Sequence, residues 1–326
     1  MTDRPSREDS VGTDNVAVSA RSLGKSFGDT VAVHDLSFDA RAGEVMGLLG
    51  PNGAGKTTTI KMLTTLLPID TGSATIAGLD VAARPDAVRR VIGLAGQSAA
   101  VDEKLTAREN LEMFGRLYKI PGSDRKKRIG FLIERFELGE FADRTVETYS
   151  GGQRRRLDVV ASLIASPPVL FLDEPTTGLD PRSRTELWDE IGDLAAQGTA
   201  VVLTTQYLEE ADRLSDRIVI IDEGVMKASG TSAELKQDLQ RDVFEVHVAS
   251  LEDVTRAAET AERIAPGVSI TSGGTQLQIP LTDGSRQSLV ILREFDAADI
   301  VIADFQLRRP TLDDVFLTLT ATGGNR

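Results

Sequence analysis

The chain has 326 residues, 40% of them apolar, and carries 50 acidic against 37 basic residues for a formal net charge of -13. That length supplies two domains with real cores, and the acidity argues against a nucleic-acid carrier. The absence of cysteine leaves no disulfide or thiolate metal site and fits a reducing compartment. Apolar segments are short and broken by charge or glycine, far from the roughly 20 residues that cross a bilayer. Membrane association is therefore expected only through a partner, without a covalent anchor.

Residues 1–15 are polar and read as a disordered lead-in, not a secretory signal. Residues 16–38 predict an antiparallel β region. An apolar strand from Val45 to Leu49 then runs into Gly50-Pro51-Asn52-Gly53-Ala54-Gly55-Lys56-Thr57-Thr58, and a helical stretch follows from Thr57 to Leu67. A glycine-rich turn in that setting turns backbone N–H groups onto phosphate oxygens, and the helix adds its positive end. The expected ligand is a nucleoside triphosphate with Mg²⁺. Lys56 would reach its β- and γ-phosphates, the Thr57 hydroxyl would ligate the metal, and Thr58 would donate to the α-phosphate.

Between Gln97 and Tyr149 lies a mostly helical insertion, about 98–150, with helical stretches near 105–111 and 125–136. The run Arg125-Lys126-Lys127-Arg128 reads as a solvated helix face, with contact to lipid headgroups or a membrane partner as the sharper alternative. Ser150 suits a helix cap, leaving free N–H groups and a positive dipole end for an anion. Arg154-Arg155-Arg156, directly behind it, could add positive potential there. Val169-Leu170-Phe171-Leu172-Asp173-Glu174-Pro175 is four apolar residues ending in acids, the form of a buried parallel strand whose carboxyl end faces the ligand. Asp173 is expected to hold Mg²⁺ through water, and Glu174 to act as general base on the attacking water. Further core strands are expected at Val201 and Ile218.

Tyr149-Ser150-Gly151-Gly152-Gln153 resembles the signature sequence of ABC-type ATPases, with Tyr149 in place of the usual leucine. The resemblance implies that Ser150 and Gly152 of one subunit bind the γ-phosphate held on the neighbour's loop, with Tyr149, Gly151 and Gln153 of the same motif counted among the nucleotide-binding residues. In the same family order, Gln97 resembles the glutamine that senses Mg²⁺ and γ-phosphate. Gly178-Leu179-Asp180 resembles the loop that crosses the dimer interface, and Phe27 the aromatic residue that stacks on adenine. One position departs from the commonest pattern: Gln206, in Thr204-Thr205-Gln206-Tyr207-Leu208, stands where most members place a histidine. Its amide can donate to phosphate but carries no imidazolium charge, so turnover is expected to survive, if more slowly, with greater dependence on Glu174. Drug-resistance exporters of the daunorubicin type resemble the chain at this point.

After Ser229-Gly230, residues 231–239 read as a helix ending the ATPase domain, placed at 16–240. The remaining 241–326 read as strand (243–248), helix (251–264), a strand pair around Ser272-Gly273-Gly274, helix (286–295) and strand (300–307), an order that suggests a small ferredoxin-like domain. A last helix capped by Thr311 places Leu312, Val315, Phe316 and Leu319 on one face.

The fold class expected is thus an α/β phosphate-loop ABC ATPase with parallel core sheet, antiparallel β subdomain and helical insertion, followed by an α+β domain. The resemblance implies an ATP-hydrolysing exporter subunit with ATP and Mg²⁺, a second copy and a separate multi-span permease as partners, no nucleic acid, at the cytoplasmic face of the plasma membrane. The favoured cargo is a hydrophobic drug or antibiotic. A soluble ATPase acting on a macromolecule and a weakly hydrolysing ATP-gated module are the alternatives.

Overall fold

The computed structural model describes residues 15–97, 100–238, 242–271 and 274–321, so the expected lead-in lies outside the described residues except for Asn15. The chain divides into two compact units, Met1–Thr231 and Ser232–Arg326.

The first unit runs β1 (Val16–Phe27), β2 (Thr30–Arg41), β3 (Val45–Leu49), α1 (Lys56–Leu63), β4 (Thr71–Ile76), β5 (Leu79–Asp80), α2 (Pro85–Val88), β6 (Ile92–Ala95), α3 (Ala107–Leu117), α4 (Gly122–Arg135), α5 (Gly151–Ser162), β7 (Val169–Asp173), α6 (Pro181–Ala196), β8 (Ala200–Thr205), α7 (Leu208–Leu214), β9 (Arg217–Asp222) and β10 (Val225–Gly230). Its main sheet has the order β10-β9-β3-β8-β7-β6. The five strands from β9 to β6 are parallel, and β10 closes one edge antiparallel to β9. A second sheet, β2-β1-β4-β5, is antiparallel. The sequence pattern had located only its first two strands.

The continuous apolar runs follow from burial on both faces of the main sheet. Along β7, Val169 and Phe171 point into one core and Leu170 and Leu172 into the other. Ala200 and Val202 alternate with Val201 and Leu203 in the same way. One core packs the main sheet on the antiparallel sheet; the other packs it on the helical insertion. That insertion is anchored by a capping box at α3, where Thr106 accepts from the Glu109 N–H and the Glu109 carboxylate accepts from the Thr106 N–H.

The second unit contains α8 (Ser232–Asp238), β11 (Asp242–Val248), α9 (Val254–Glu262), β12 (Ser269–Ile270), β13 (Gln276–Leu281), α10 (Gly284–Ala297), β14 (Ile302–Arg308) and α11 (Leu312–Ala321). Its antiparallel sheet has the order β12-β13-β11-β14. This order is compatible with a ferredoxin-like domain. Phe244, Val246, Leu277, Ile279, Ile291 and Phe295 form its core. The tip of the expected strand pair, residues 272–273, lies outside the described residues. The helix read as closing the ATPase domain is α8, and it groups with the second unit because it packs against α11. Thr311 caps α11 as the sequence suggested, accepting from the Asp314 N–H while the Asp314 carboxylate accepts from the Thr311 N–H. Leu312 and Val315 are buried on its inner face.

One carboxyl group in the first unit sits badly for its charge. Glu190 on α6 is largely buried, its Oε2 has no hydrogen-bond partner, and Arg156 Nε lies 3.8 Å from Oε1. Burial pushes its carboxyl up to about 7; Arg156 pulls against this, while Glu137 and Glu186 add to it. Between 4.5, the ordinary value, and about 7 the folded chain holds a proton that the unfolded chain has released. Stability therefore falls as pH rises through that window and levels off above it. Glu190→Gln is expected to raise the melting temperature at pH 8, by a free energy of the order of 2–3 kcal/mol, and to change little at pH 5. Melting curves of both chains across pH 5–8 check this; parallel curves would contradict it.

Candidate functional site

Four parallel strands end at one edge of the main sheet and deliver the loops that matter. Leu49 of β3 is level with Thr205 of β8, Asp173 of β7 with Thr204, and Ala95 of β6 with Leu172. The phosphate loop, Gln97, the Asp173-Glu174 turn and Gln206 therefore leave the sheet side by side, at the carboxyl ends where such sheets bind ligands.

The phosphate loop is shaped by two glycines that no other residue can replace. Gly55 has φ +99° and precedes α1, and a Cβ there would stand 2.4 Å from Ala32 O. A Cβ on Gly50 would stand 2.1 Å from Ile221 O. The cleft is lined by Ala32, Asn52–Thr58, Gln97 and Glu174. Lys56 is 3% exposed and folds back over the loop, its Nζ donating to Gly50 O at 2.8 Å and Pro51 O at 2.9 Å, 3.5 Å from Glu174 Oε1. Burial holds its ammonium below the ordinary lysine value, with Glu174 opposing.

Thr57 Oγ1 joins the side chains expected to hold a metal. It donates to Asp173 Oδ1 at 3.1 Å and accepts from Gln97 Nε2 at 3.1 Å. One carboxylate, one hydroxyl and one amide oxygen around an open cleft fit a hard cation that keeps waters and substrate oxygens as its other ligands, the habit of Mg²⁺. Glu174 adopts φ +49°, an uncommon backbone for a non-glycine residue. Its N–H donates to both Thr204 O and Thr204 Oγ1, which fixes the turn and aims the side chain at the cleft.

Thr204 was not singled out by sequence reasoning, yet it also donates to Asp173 Oδ1 at 2.6 Å and is fully buried. Its neighbour Thr205 was passed over equally: its Oγ1 accepts from the Tyr207 N–H and shapes the turn carrying Gln206. A polar residue ending an apolar strand beside the acidic one was the available signal.

Ser150 caps α5 as expected. Its Oγ accepts from the Gln153 N–H, and the Gln153 side chain accepts from the Ser150 N–H. The N–H groups of Gly151 and Gly152 in the first turn have no intrahelical acceptor. Tyr149 differs from its expected place beside the ligand. Its ring is buried edge-on to Phe141 at 5.0 Å, and its hydroxyl donates to Phe141 O at 2.5 Å. It packs where a leucine would, and the hydroxyl has found its own carbonyl. Asp180 caps α6, accepting from the Arg182 and Ser183 N–H groups and from Ser183 Oγ. Phe27 is 49% exposed at the β1–β2 turn, with Lys25 Nζ 5.6 Å from its ring centre. It lies outside the phosphate cleft lining.

The three arginines behind the signature do not form a free positive patch. Arg154 pairs with Glu103 and Arg156 with Glu186. Arg155 is 8% exposed and is held by carbonyl oxygens of its own chain. Of the other basic run, Arg125 binds Glu112 and Ile120 O and Arg128 binds Leu163 O, leaving Lys126 and Lys127 exposed.

Thr204→Val keeps the volume but removes the hydroxyl that serves Asp173 and the Glu174 N–H. It is expected to cost about 1–3 kcal/mol, read as a melting point lower by roughly 2–4 °C per kcal/mol. An unchanged melting point would remove Thr204 from the account of this turn.

Comparison with known proteins gives the same reading. Residues 33–177 match the ABC transporter family, and residues 230–320 match the C-terminal domain of DrrA1-3-like ATP-binding proteins. The chain is 48% identical to the daunorubicin resistance ATP-binding protein DrrA2 of Streptomyces coeruleorubidus, over 94% of this chain and 96% of that one. It is 46% identical to the doxorubicin resistance ATP-binding protein DrrA of Mycobacterium tuberculosis, over 94% of each. Among solved structures, a dimeric ATP-binding cassette in a post-hydrolysis state with ADP and phosphate superposes with a TM-score of 0.60 at 25% identity, covering 66% of this chain and 98% of that one. The chain belongs to the ATP-binding subunits of ABC transporters, as an ATPase coupled to transport within the daunorubicin/doxorubicin-resistance family.

Proposed function

We propose that the chain binds ATP with Mg²⁺ on the loop from Gly50 to Thr58 and hydrolyses it to drive efflux of a hydrophobic drug or antibiotic through a separate multi-span membrane subunit. The observation that carries this reading is the convergence of Lys56, Thr57, Gln97, Asp173 and Glu174 on one cleft at the end of a parallel sheet.

Each residue has a task that its chemistry suits. The loop N–H groups cradle the phosphates, and Lys56 transfers its ammonium from Gly50 O and Pro51 O to the β- and γ-phosphate oxygens. Thr58 donates to the α-phosphate, and Phe27 stacks on the base. Thr57, Asp173 and Gln97 would hold Mg²⁺, which would neutralise phosphate charge. Glu174 takes the proton of the attacking water as general base. Gln206 donates an amide hydrogen bond to the γ-phosphate.

The chain carries one phosphate loop and one signature, so a complete site takes both from different copies. Ser150 and the N–H groups of Gly151 and Gly152 close over the γ-phosphate on the neighbour's loop, with Asp180 near the interface between copies. The dimeric state of the solved cassette supports this arrangement. The names of the relatives, which concern daunorubicin and doxorubicin resistance, support the class of cargo. Among the described residues no helix is long and apolar enough to cross a membrane, and the same reading gives the chain a peripheral place at the cytoplasmic face through the membrane subunit. Residues 16–240 form the motor in this reading, and 241–326 an accessory domain.

Glu174→Gln is expected to bind Mg²⁺-ATP with near-normal affinity while turnover falls by at least about 100-fold. Lys56→Ala is expected to lose ATP binding, and retained affinity would count against the assigned pocket. If the wild-type chain proved as inert as Glu174→Gln with its membrane subunit present, the motor reading would be abandoned. A pull-down of tagged Glu174→Gln from native membranes with Mg²⁺-ATP should recover a multi-span protein. Ribosomal or DNA-bound proteins in its place would reassign the chain to a soluble role.

A further inference from the structure

The buried charges of the first unit include one pair with no part in the chemistry above. Arg155 and Asp158 lie on α5, 8% and 2% exposed. The Arg155 guanidinium is spent on backbone carbonyls: Nε donates to Pro175 O at 2.8 Å, Nη2 to Asp173 O at 2.9 Å, and Nη1 to Gly96 O. Nη1 also lies 3.3 Å from Asp158 Oδ2. The other oxygen of Asp158 accepts from the Ala100 N–H at 2.7 Å.

These acceptors are not scattered. Gly96 precedes Gln97, which bonds to Thr57; Asp173 supplies the metal-side carboxylate; Pro175 follows Glu174. Two segments that would contact ATP in the chain's own site, the loop after β6 and the turn after β7, are therefore tied by one planar fork to the helix whose first turn, Ser150 to Gly152, would serve the neighbour. Arg155 lies five residues beyond Ser150, about 7.5 Å along the helix axis. A lysine could not replace it, because a point charge cannot hold three carbonyls in a fixed plane. Burial keeps the fork free of competing water and of salt screening.

We propose that Arg155, braced by Asp158, is a positioning residue that couples the two half-sites of one chain. A shift of Gln97 or of the Asp173–Pro175 turn on ATP binding is transmitted to α5 and sets the signature offered to the neighbour. The coupling rests on the ATPase reading above.

The test is amide hydrogen exchange on the full chain with and without Mg²⁺-ATP. It is run at a concentration where sedimentation shows monomer, so that no neighbour covers α5. In wild type, ATP should slow exchange at the phosphate loop, and also at amides 155–160 of α5 by at least about 5-fold. Arg155→Lys and Asp158→Asn, the latter keeping side-chain volume and an oxygen for the Ala100 N–H, should keep the first effect. Each should reduce the second to less than about 2-fold.

Slowing at the phosphate loop but not at α5 in wild type overturns the coupling. So does slowing at α5 that survives both substitutions. If the variants also lose protection at the phosphate loop, or melt early, the pair is a structural support and the coupling is again overturned. No protection of the phosphate loop in wild type would instead sink the ATPase reading, and the coupling with it; the two failures are read at different amides.

Discussion

Everything at this site follows from the cost of keeping charge out of water. Lys56, Asp173, Arg155, Asp158 and Glu210 are each less than 10% exposed within one domain. An isolated ion in such surroundings is strongly disfavoured, so each must be met by an opposite charge or by aligned dipoles. The parallel sheet provides the dipoles: its strands end together, and their terminal carbonyls and hydroxyls face the buried groups. Lys56 rests on Gly50 O and Pro51 O, Arg155 on Gly96 O, Asp173 O and Pro175 O, and Asp173 on the hydroxyls of Thr57 and Thr204. In the proposed site, phosphate oxygens would take the place of the carbonyls that occupy the Lys56 ammonium.

The same constraint explains why neighbouring loops are bonded to one another. Glu210 shows it away from the phosphates: its Oε1 accepts from Thr176 Oγ1 and from the indole of Trp188, both at 2.9 Å, while burial pushes its carboxyl up. The loop after β7, helix α6 and helix α7 are thereby held through a single oxygen. A motor domain needs segments that shift together when phosphate arrives or leaves. Buried polar networks give that property because breaking one bond strands its partner. An all-apolar interior of equal stability would let the loops move independently.

The legible parts of the sequence were those in which local backbone chemistry decides the outcome. Gly50 and Gly55 sit where a Cβ would strike a carbonyl, and Ser150 and Thr311 cap helices through contacts three residues away. Such interactions leave a short-range mark. The apolar run ending in Asp173 was equally plain, because burial on both faces removes alternation. What escaped notice depends on long-range pairing. Thr204 and Arg155 gain their meaning only when β8, β7 and the loop after β6 lie side by side, and β4 pairs with β1 across more than 40 intervening residues. Membership of the motif predicts Tyr149 as a ligand contact. Its ring answers instead to Phe141, a neighbour that the motif does not contain. Motif membership locates a residue along the chain; only packing decides which way it faces.

Gln206 brings these threads together. It follows β8 directly after Thr204 and Thr205, so the strand that braces Asp173 and Glu174 also leads into Gln206, which is not among the residues lining the cleft. A histidine at this position would add a group that titrates near neutrality just beyond the strand that braces Asp173 and Glu174. An amide donates a hydrogen bond of fixed polarity at any pH and brings no net charge to be desolvated when the site closes. It also gives up the electrostatic help of an imidazolium on the γ-phosphate. In the proposed mechanism positive charge on the transferring group would then come from Lys56, from the metal and from the first turn of the neighbour's α5. That would place more of the work on the contact between copies, and so on whatever fixes the position of α5.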